Sequence, residues 1–201
     1  MLNMSKVLDI LAAQLNPVVG DINGNLALAR EAYAEARERD ADLLVLSELF
    51  ILGYPAEDLV LKPSAVTLSM AAVETLAEET AGGPAILIGA PWRDGDKVHN
   101  SSVLLQGGKV AGRCDKRELP NYGVFDEKRI FDAGTGAPFV FTLKGVKVGV
   151  AICEDIWFDR VPLALKGAGA QVLVVPNGSP WRRTVHAERH STFSAWRKTG
   201  L

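Results

Sequence analysis

Three short runs, residues 43–46, 85–90 and 148–152, consist only of Leu, Ile, Val, Ala and Gly, with no polar residue on either alternating face. A strand that is apolar on both sides must be covered on both sides, so these runs belong to a sheet sandwiched between other layers. The segments around them narrow the choice further. Residues 7–15 are held to strand length by Asn16-Pro17 and Gly20-Asp21. Residues 25–39 place Ala29, Ala32, Tyr33 and Ala36 on one helical face and Arg30, Glu31, Glu35, Arg37 and Glu38 on the other, with Asn23 or Asn25 as cap. Residues 64–79 form a second such helix, capped by Ser64 and stopped by Gly82-Gly83-Pro84. The order strand, helix, strand, helix, strand builds parallel crossover units and an α/β fold.

Beyond residue 90 the pattern changes to hairpins. Asp94-Gly95-Asp96 and Gly107-Gly108 flank strands over 98–106 and 109–115, and Lys144-Gly145 joins 138–143 to 146–153, so the sheets are mixed. A short helix over 163–166, a last clear strand over 172–175 and a closing helix over 188–198 complete the reading. Net charge of −2 gives no surface for nucleic acid, and no apolar run approaches the roughly 18 residues that cross a membrane. Two cysteines are too few for a disulfide framework, which points to a reducing cytoplasm where a thiol stays available.

Chemistry-bearing residues fall where the strands end. Glu48 follows 43–46 among Leu46, Leu49, Phe50 and Ile51, Lys116 follows 109–115, and Cys153 closes 148–152, with an irregular turn expected from there to Pro162. The carboxyl edge of the sheet is where open α/β folds keep their sites. A free thiol is only a few per cent thiolate at neutral pH, so it needs a base to draw off its proton, and Glu48 supplies one. A tetrahedral intermediate needs donors at its oxyanion; Lys116 and the backbone N–H after Cys153 supply two. A lone cysteine is more often a small core residue, and it is the combination of the three that argues for a nucleophile. The loop over 116–129 is long but carries Tyr122 and Phe125, which favours a pocket wall over disorder. His186 and His190 stand one helical turn apart without a third ligand, so no metal site is read there. Cys114, inside a hairpin strand, reads as inert.

The segments Ser47-Glu48-Leu49-Phe50, Asp115-Lys116-Arg117-Glu118-Leu119-Pro120 and Ile152-Cys153-Glu154-Asp155 resemble the nitrilase, or carbon–nitrogen hydrolase, superfamily. Residues 118–127 (ELPNYGVFDE) and 153–157 (CEDIW) resemble in particular the glutaminase domains of glutamine-dependent NAD synthetases. The resemblance implies a four-layer α-β-β-α sandwich, incomplete at the C-terminus, with residues 1–201 as one truncated hydrolase domain and the synthetase domain absent. By that resemblance Glu48 is the general base, Lys116 faces the oxyanion, Cys153 attacks the carboxamide of L-glutamine, and Glu127 helps fix the lysine. Tyr122 and Ser179 hold the substrate, while Trp157 and Phe158 wall its pocket. Relatives often carry a basic residue where this chain has Val185, a role that Arg182 or Arg183 could fill. The hydrolysis needs no cofactor; ATP and magnesium belong to the missing domain, which amidates deamido-NAD and completes a homo-oligomeric enzyme. A stand-alone amidase of the same superfamily and an inactive module that keeps the fold are the other readings. An incomplete second sheet would leave apolar edges open to self-association.

Overall fold

The computed structural model describes residues 7–180 and 183–198. Strand β1 (Ile10–Ala12) is followed by helix α1 (Ile22–Glu38), β2 (Leu43–Val45), α2 (Pro63–Glu78) and β3 (Ala85–Asp94). β4 (Lys97–Gln106), β5 (Lys109–Asp115), α3 (Glu127–Ile130), β6 (Val140–Leu143) and β7 (Val146–Val150) come next. Then α4 (Arg160–Gly167), β8 (Val172–Val174) and α5 (Val185–Lys198) close the chain. β1 to β5 form one sheet in sequence order, parallel through β3 and antiparallel beyond it; β6, β7 and β8 form a second, with β7 central.

Packing follows from the apolar runs. α1 and α2 cover one face of the first sheet, their Ala29, Ala36, Val73 and Leu76 meeting Leu44, Ile86 and Ile88. The other face, with Leu43, Leu87 and Leu104, meets Val148, Val150 and Val174 of the second sheet. Val161 and Leu165 of α4 cover the far side of that sheet. The result is a four-layer α-β-β-α sandwich. Each fully buried aliphatic side chain at the seam contributes about 1.5–3 kcal/mol, which makes the contact between sheets the dominant tie between the two halves.

Several local expectations are corrected. β1 is confined to three residues, because only Ile10 to Ala12 pair with β2. The cap of α1 is Asp21, which accepts from the Gly24 N–H; Asn25 is buried and bonds instead to Val18 and Ile51. α2 starts at Pro63, whose fixed φ suits a first helical position, and Ser64 makes no cap. β3 runs on to Asp94 as half of a long hairpin with β4. Most relevant to function, Cys153 opens a 3₁₀ turn over Cys153–Trp157 rather than an irregular loop.

Candidate active site

Glu48 is delivered by a close approach. After β2 the chain stays against β3, with the Leu46 N–H bonded to Leu87 O and the Ile51 N–H to Gly89 O. A Cβ at position 89 would lie 2.3 Å from Leu49 N and 2.4 Å from Ser47 O, so only glycine lets the segment carrying Glu48 pass so near the strand. Glu48 Oε1 accepts from Lys116 Nζ at 2.7 Å and from Asn100 Nδ2 at 2.9 Å, and Oε2 accepts from the Gly178 N–H at 2.8 Å.

Lys116 leaves β5 still paired with β4 through its N–H to Asn100 O. Its side chain is fully buried, and Nζ makes a second bond to Glu127 Oε1 at 2.8 Å. Burial alone would lower the Lys116 pKa, but Glu48, Cys153 and Glu127 together outweigh it and hold the ammonium above its ordinary value. Glu127 sits on α3, where burial pushes its carboxyl up, Lys116 pulls it down and Glu48 pushes it up again; the net direction is upward. Its Oε1 also accepts from the Tyr54 hydroxyl at 3.0 Å.

Cys153 has φ of +45°, a left-handed backbone that a non-glycine residue adopts at a cost and that recurs at functional turns. Its N–H donates to Pro176 O at 2.9 Å, tying the turn to the end of β8. The side chain is buried within electrostatic reach of Glu48, Lys116 and Glu127. Burial pushes the thiol up, Glu48 adds to this, and Lys116 works against it, so the resting sulfur is a thiol near the Glu48 side chain. Acid, amine and sulfhydryl therefore meet in one place, as expected from their positions at strand ends.

Three further residues were not legible as site residues in the sequence. Asn100 is fully buried on β4 and braces Glu48, within a polar run, His99 to Ser102, that reads as an ordinary hairpin strand. Tyr54 stands among turn residues. Asp155 is fully buried: Oδ1 accepts the N–H groups of Arg117 and Glu118 at 2.9 and 2.8 Å, and Oδ2 accepts that of Ile152 at 2.9 Å. It pins the residues next to Lys116 and Cys153 to each other. Only its adjacency to Cys153 could have singled it out, and Glu154 shares that.

A cavity of about 250 Å³ opens on Cys153, lined among others by Tyr122, Phe125, Trp157, Ser179 and Val185. The Tyr122 hydroxyl donates to the Glu154 carboxylate at 2.9 Å, and its ring meets Phe125 edge-on. Ser179 Oγ donates to Asn177 Oδ1 and accepts from Arg189 Nη2, each at 2.6 Å. Phe158 is a correction: the 3₁₀ turn ends at Trp157, the chain becomes extended, and the half-exposed Phe158 ring lines a separate hollow of about 550 Å³ with Arg117 and Lys128. Val185 puts an apolar side chain in the Cys153 cavity. Of its suggested substitutes, Arg183 is exposed and Arg182 lies outside the described residues, while the guanidinium bonded to Ser179 is that of Arg189. Cys114 is buried on β5 with its thiol directed at Val150 O. Among the described residues no group of three or more His, Cys, Asp or Glu is placed to hold a metal ion, and no helix is long and apolar enough to cross a membrane.

A layered α-β-β-α sandwich with a buried glutamate, lysine and cysteine at the carboxyl ends of its strands is the architecture of nitrilase-like enzymes. The chain belongs to the carbon–nitrogen hydrolase family, whose model matches residues 10–197. It is 43% identical over 193 residues to the glutamine-dependent NAD(+) synthetase of Rhodobacter capsulatus, covering 96% of this chain and 35% of that protein. It is 42% identical over 189 residues to the enzyme of the same name from Xanthomonas campestris, covering 93% and 34%. The chain thus spans about a third of the length of the curated relatives it matches. Among solved structures, the glutamine-dependent NAD+ synthetase of Acinetobacter baumannii in complex with ADP superposes with a TM-score of 0.88 at 35% identity, over 94% of this chain and 35% of that one. A cysteine-to-alanine mutant of the Nesterenkonia AN1 amidase from the nitrilase superfamily gives 0.82 at 25% identity, over 94% and 71%.

Proposed function

We propose that this chain is the glutamine-hydrolysing part of a glutamine-dependent NAD synthetase. The observation that carries the chemistry is the convergence of Cys153 and Lys116 on the Glu48 carboxylate, and the named relatives supply the substrate. Glu48 takes the thiol proton as Cys153 Sγ attacks the carboxamide carbon, and the carbonyl oxygen becomes an oxyanion stabilised by Lys116 and a backbone N–H after Cys153. The proton held by Glu48 passes to the nitrogen, the C–N bond breaks, and ammonia leaves a thioester. Water, deprotonated by Glu48, attacks the thioester, and glutamate departs as the thiol is restored. Tyr122 and Ser179 hold the glutamine and Trp157 walls the cavity. Glu127 keeps Lys116 in place.

In this reading residues 1–201 act as one hydrolase domain that needs only its own side chains and water. ATP and magnesium serve a synthetase domain that receives the ammonia and amidates deamido-NAD, in a cytoplasmic homo-oligomer. Glutamate release from glutamine, abolished by Cys153→Ala, is the expected result. A second reading, an amidase on another small amide, is favoured by the match over 71% of the Nesterenkonia amidase. Hydrolysis of acrylamide or propionamide in place of glutamine would establish it, and inertness toward every amide and nitrile would leave a fold without activity.

A further inference from the structure

Tyr54 does not line the Cys153 cavity, yet it reaches both carboxylates that flank Lys116. Its hydroxyl donates to Glu127 Oε1, the oxygen that also accepts Lys116 Nζ. Both donors crowd onto that one atom, and Glu127 Oε2 is buried with no hydrogen-bond partner. Its ring lies directly against Gly178: a Cβ there would sit 2.8 Å from Tyr54 Cγ and 3.1 Å from Cδ1. The N–H of Gly178 is the donor to Glu48 Oε2. One side chain thus supports Glu127 through its hydroxyl and Glu48 through the backbone that its ring props up.

We propose that Tyr54 is a positioning residue, a strut that sets the spacing of Glu48 and Glu127 around Lys116 and so keeps Glu48 oriented toward Cys153. Without the hydroxyl, Lys116 is the one hydrogen-bond partner left to the Glu127 side chain among the described residues. Its bare Oε2 is then free to turn toward the ammonium, drawing Lys116 away from Glu48. The groups facing Glu127 are Lys116, Glu48 and Tyr54, with Cys153 beyond them; on its own helix, Arg129 is engaged with Asp126 and Asp58. The Tyr54 hydrogen bond lowers the Glu127 pKa, so removing it moves that carboxyl further up. A tyrosine that merely fills space would leave titration behaviour alone.

The test uses Tyr54→Phe, which keeps the ring, with unfolding midpoints measured to verify folding. In glutamine hydrolysis, kcat falls roughly ten- to hundredfold, the range of one hydrogen bond to a charged group, while KM changes little. The acid limb of the kcat profile moves to higher pH. This arm rests on the glutamine reading; the second does not. In it, iodoacetamide alkylation of Cys153 is followed by peptide mass spectrometry in Tyr54→Phe, Glu127→Gln and the double variant. Tyr54→Phe slows alkylation roughly fivefold or more, and adds nothing once Glu127 is glutamine, as expected of residues acting as one unit. If wild type fails on glutamine but the alkylation cycle shows this coupling, the substrate assignment is wrong and the strut stands. Additive effects in the cycle, or alkylation and pH profile both unchanged in a folded Tyr54→Phe protein, overturn the proposal.

Discussion

Replacing Asp155 with asparagine probes the joint between the Lys116 and Cys153 segments. The amide keeps its oxygen for Arg117 and Glu118, but its NH₂ then faces the Ile152 N–H, donor against donor. One orphaned buried N–H costs about 1–3 kcal/mol, and two bonds that lose charge assistance cost about 1 kcal/mol each. Part of this is returned, because burial pushes the Asp155 carboxyl above its ordinary value against the pull of its three backbone donors. Ending that charge burial offsets part of this, for a net loss of about 1–3 kcal/mol. The sign with pH follows from the same shift. A folded carboxyl with a raised pKa binds its proton more tightly than the unfolded one, so wild-type stability from this group is fullest at low pH and declines as pH rises from the ordinary carboxylate range through the raised value. The gap between wild type and Asp155→Asn should therefore be widest in acid and narrow toward neutrality. Urea unfolding at a series of pH values measures both quantities. A variant within about 0.5 kcal/mol of wild type throughout, or a gap that widens with pH, would refute the account of Asp155 as a buried joint.

Gly89→Ala drives a methyl into the backbone of Ser47 and Leu49; the expected cost is about 1–3 kcal/mol in stability and, from a shift of about 1 Å in Glu48, roughly a hundredfold in hydrolysis rate, read by unfolding midpoint and kcat together. Lys116→Met leaves Glu48 and Glu127 buried without their shared cation and should destabilise by about 3–5 kcal/mol at pH 8; a midpoint equal to wild type at pH 8 would contradict this. The raised Cys153 thiol should react with iodoacetamide at pH 8 more slowly than cysteine in the unfolded chain and accelerate only in the alkaline range, which peptide mass spectrometry can follow.

Glu48 and Cys153 were legible because each stands where an apolar run ends, a contrast local enough to read along the chain, whereas Lys116 follows the mixed run KVAGRCD and stood out by its place at a strand end, and the four layers by the family resemblance. Lys116 and Cys153 needed no knowledge of what they would touch. Asn100, Tyr54 and Asp155 did: they act through partners 52, 73 and 37–38 positions away, and apart from the nearness of Asp155 to Cys153 nothing in their own neighbourhoods distinguishes them. Phe158 shows the converse error. Adjacency to Trp157 suggested a shared wall, but the backbone leaves its 3₁₀ turn between the two and directs the rings into different hollows. The cap of α1, expected at Asn23 or Asn25, is Asp21: the helix begins at Ile22, so both asparagines lie inside it, and Asn25 is committed inward to Val18 and Ile51.

Glu48 and Lys116 issue from the five-stranded sheet, whereas Cys153 and Gly178 issue from the three-stranded one. The meeting of acid, amine and sulfhydryl is thus a property of the seam, absent from either half. A growing or partly unfolded chain holds the sulfhydryl apart from the carboxylate and the ammonium, and the thiol is buried and slowed only when the halves close. Thiol reactivity can then be used as a clock for that last act of assembly.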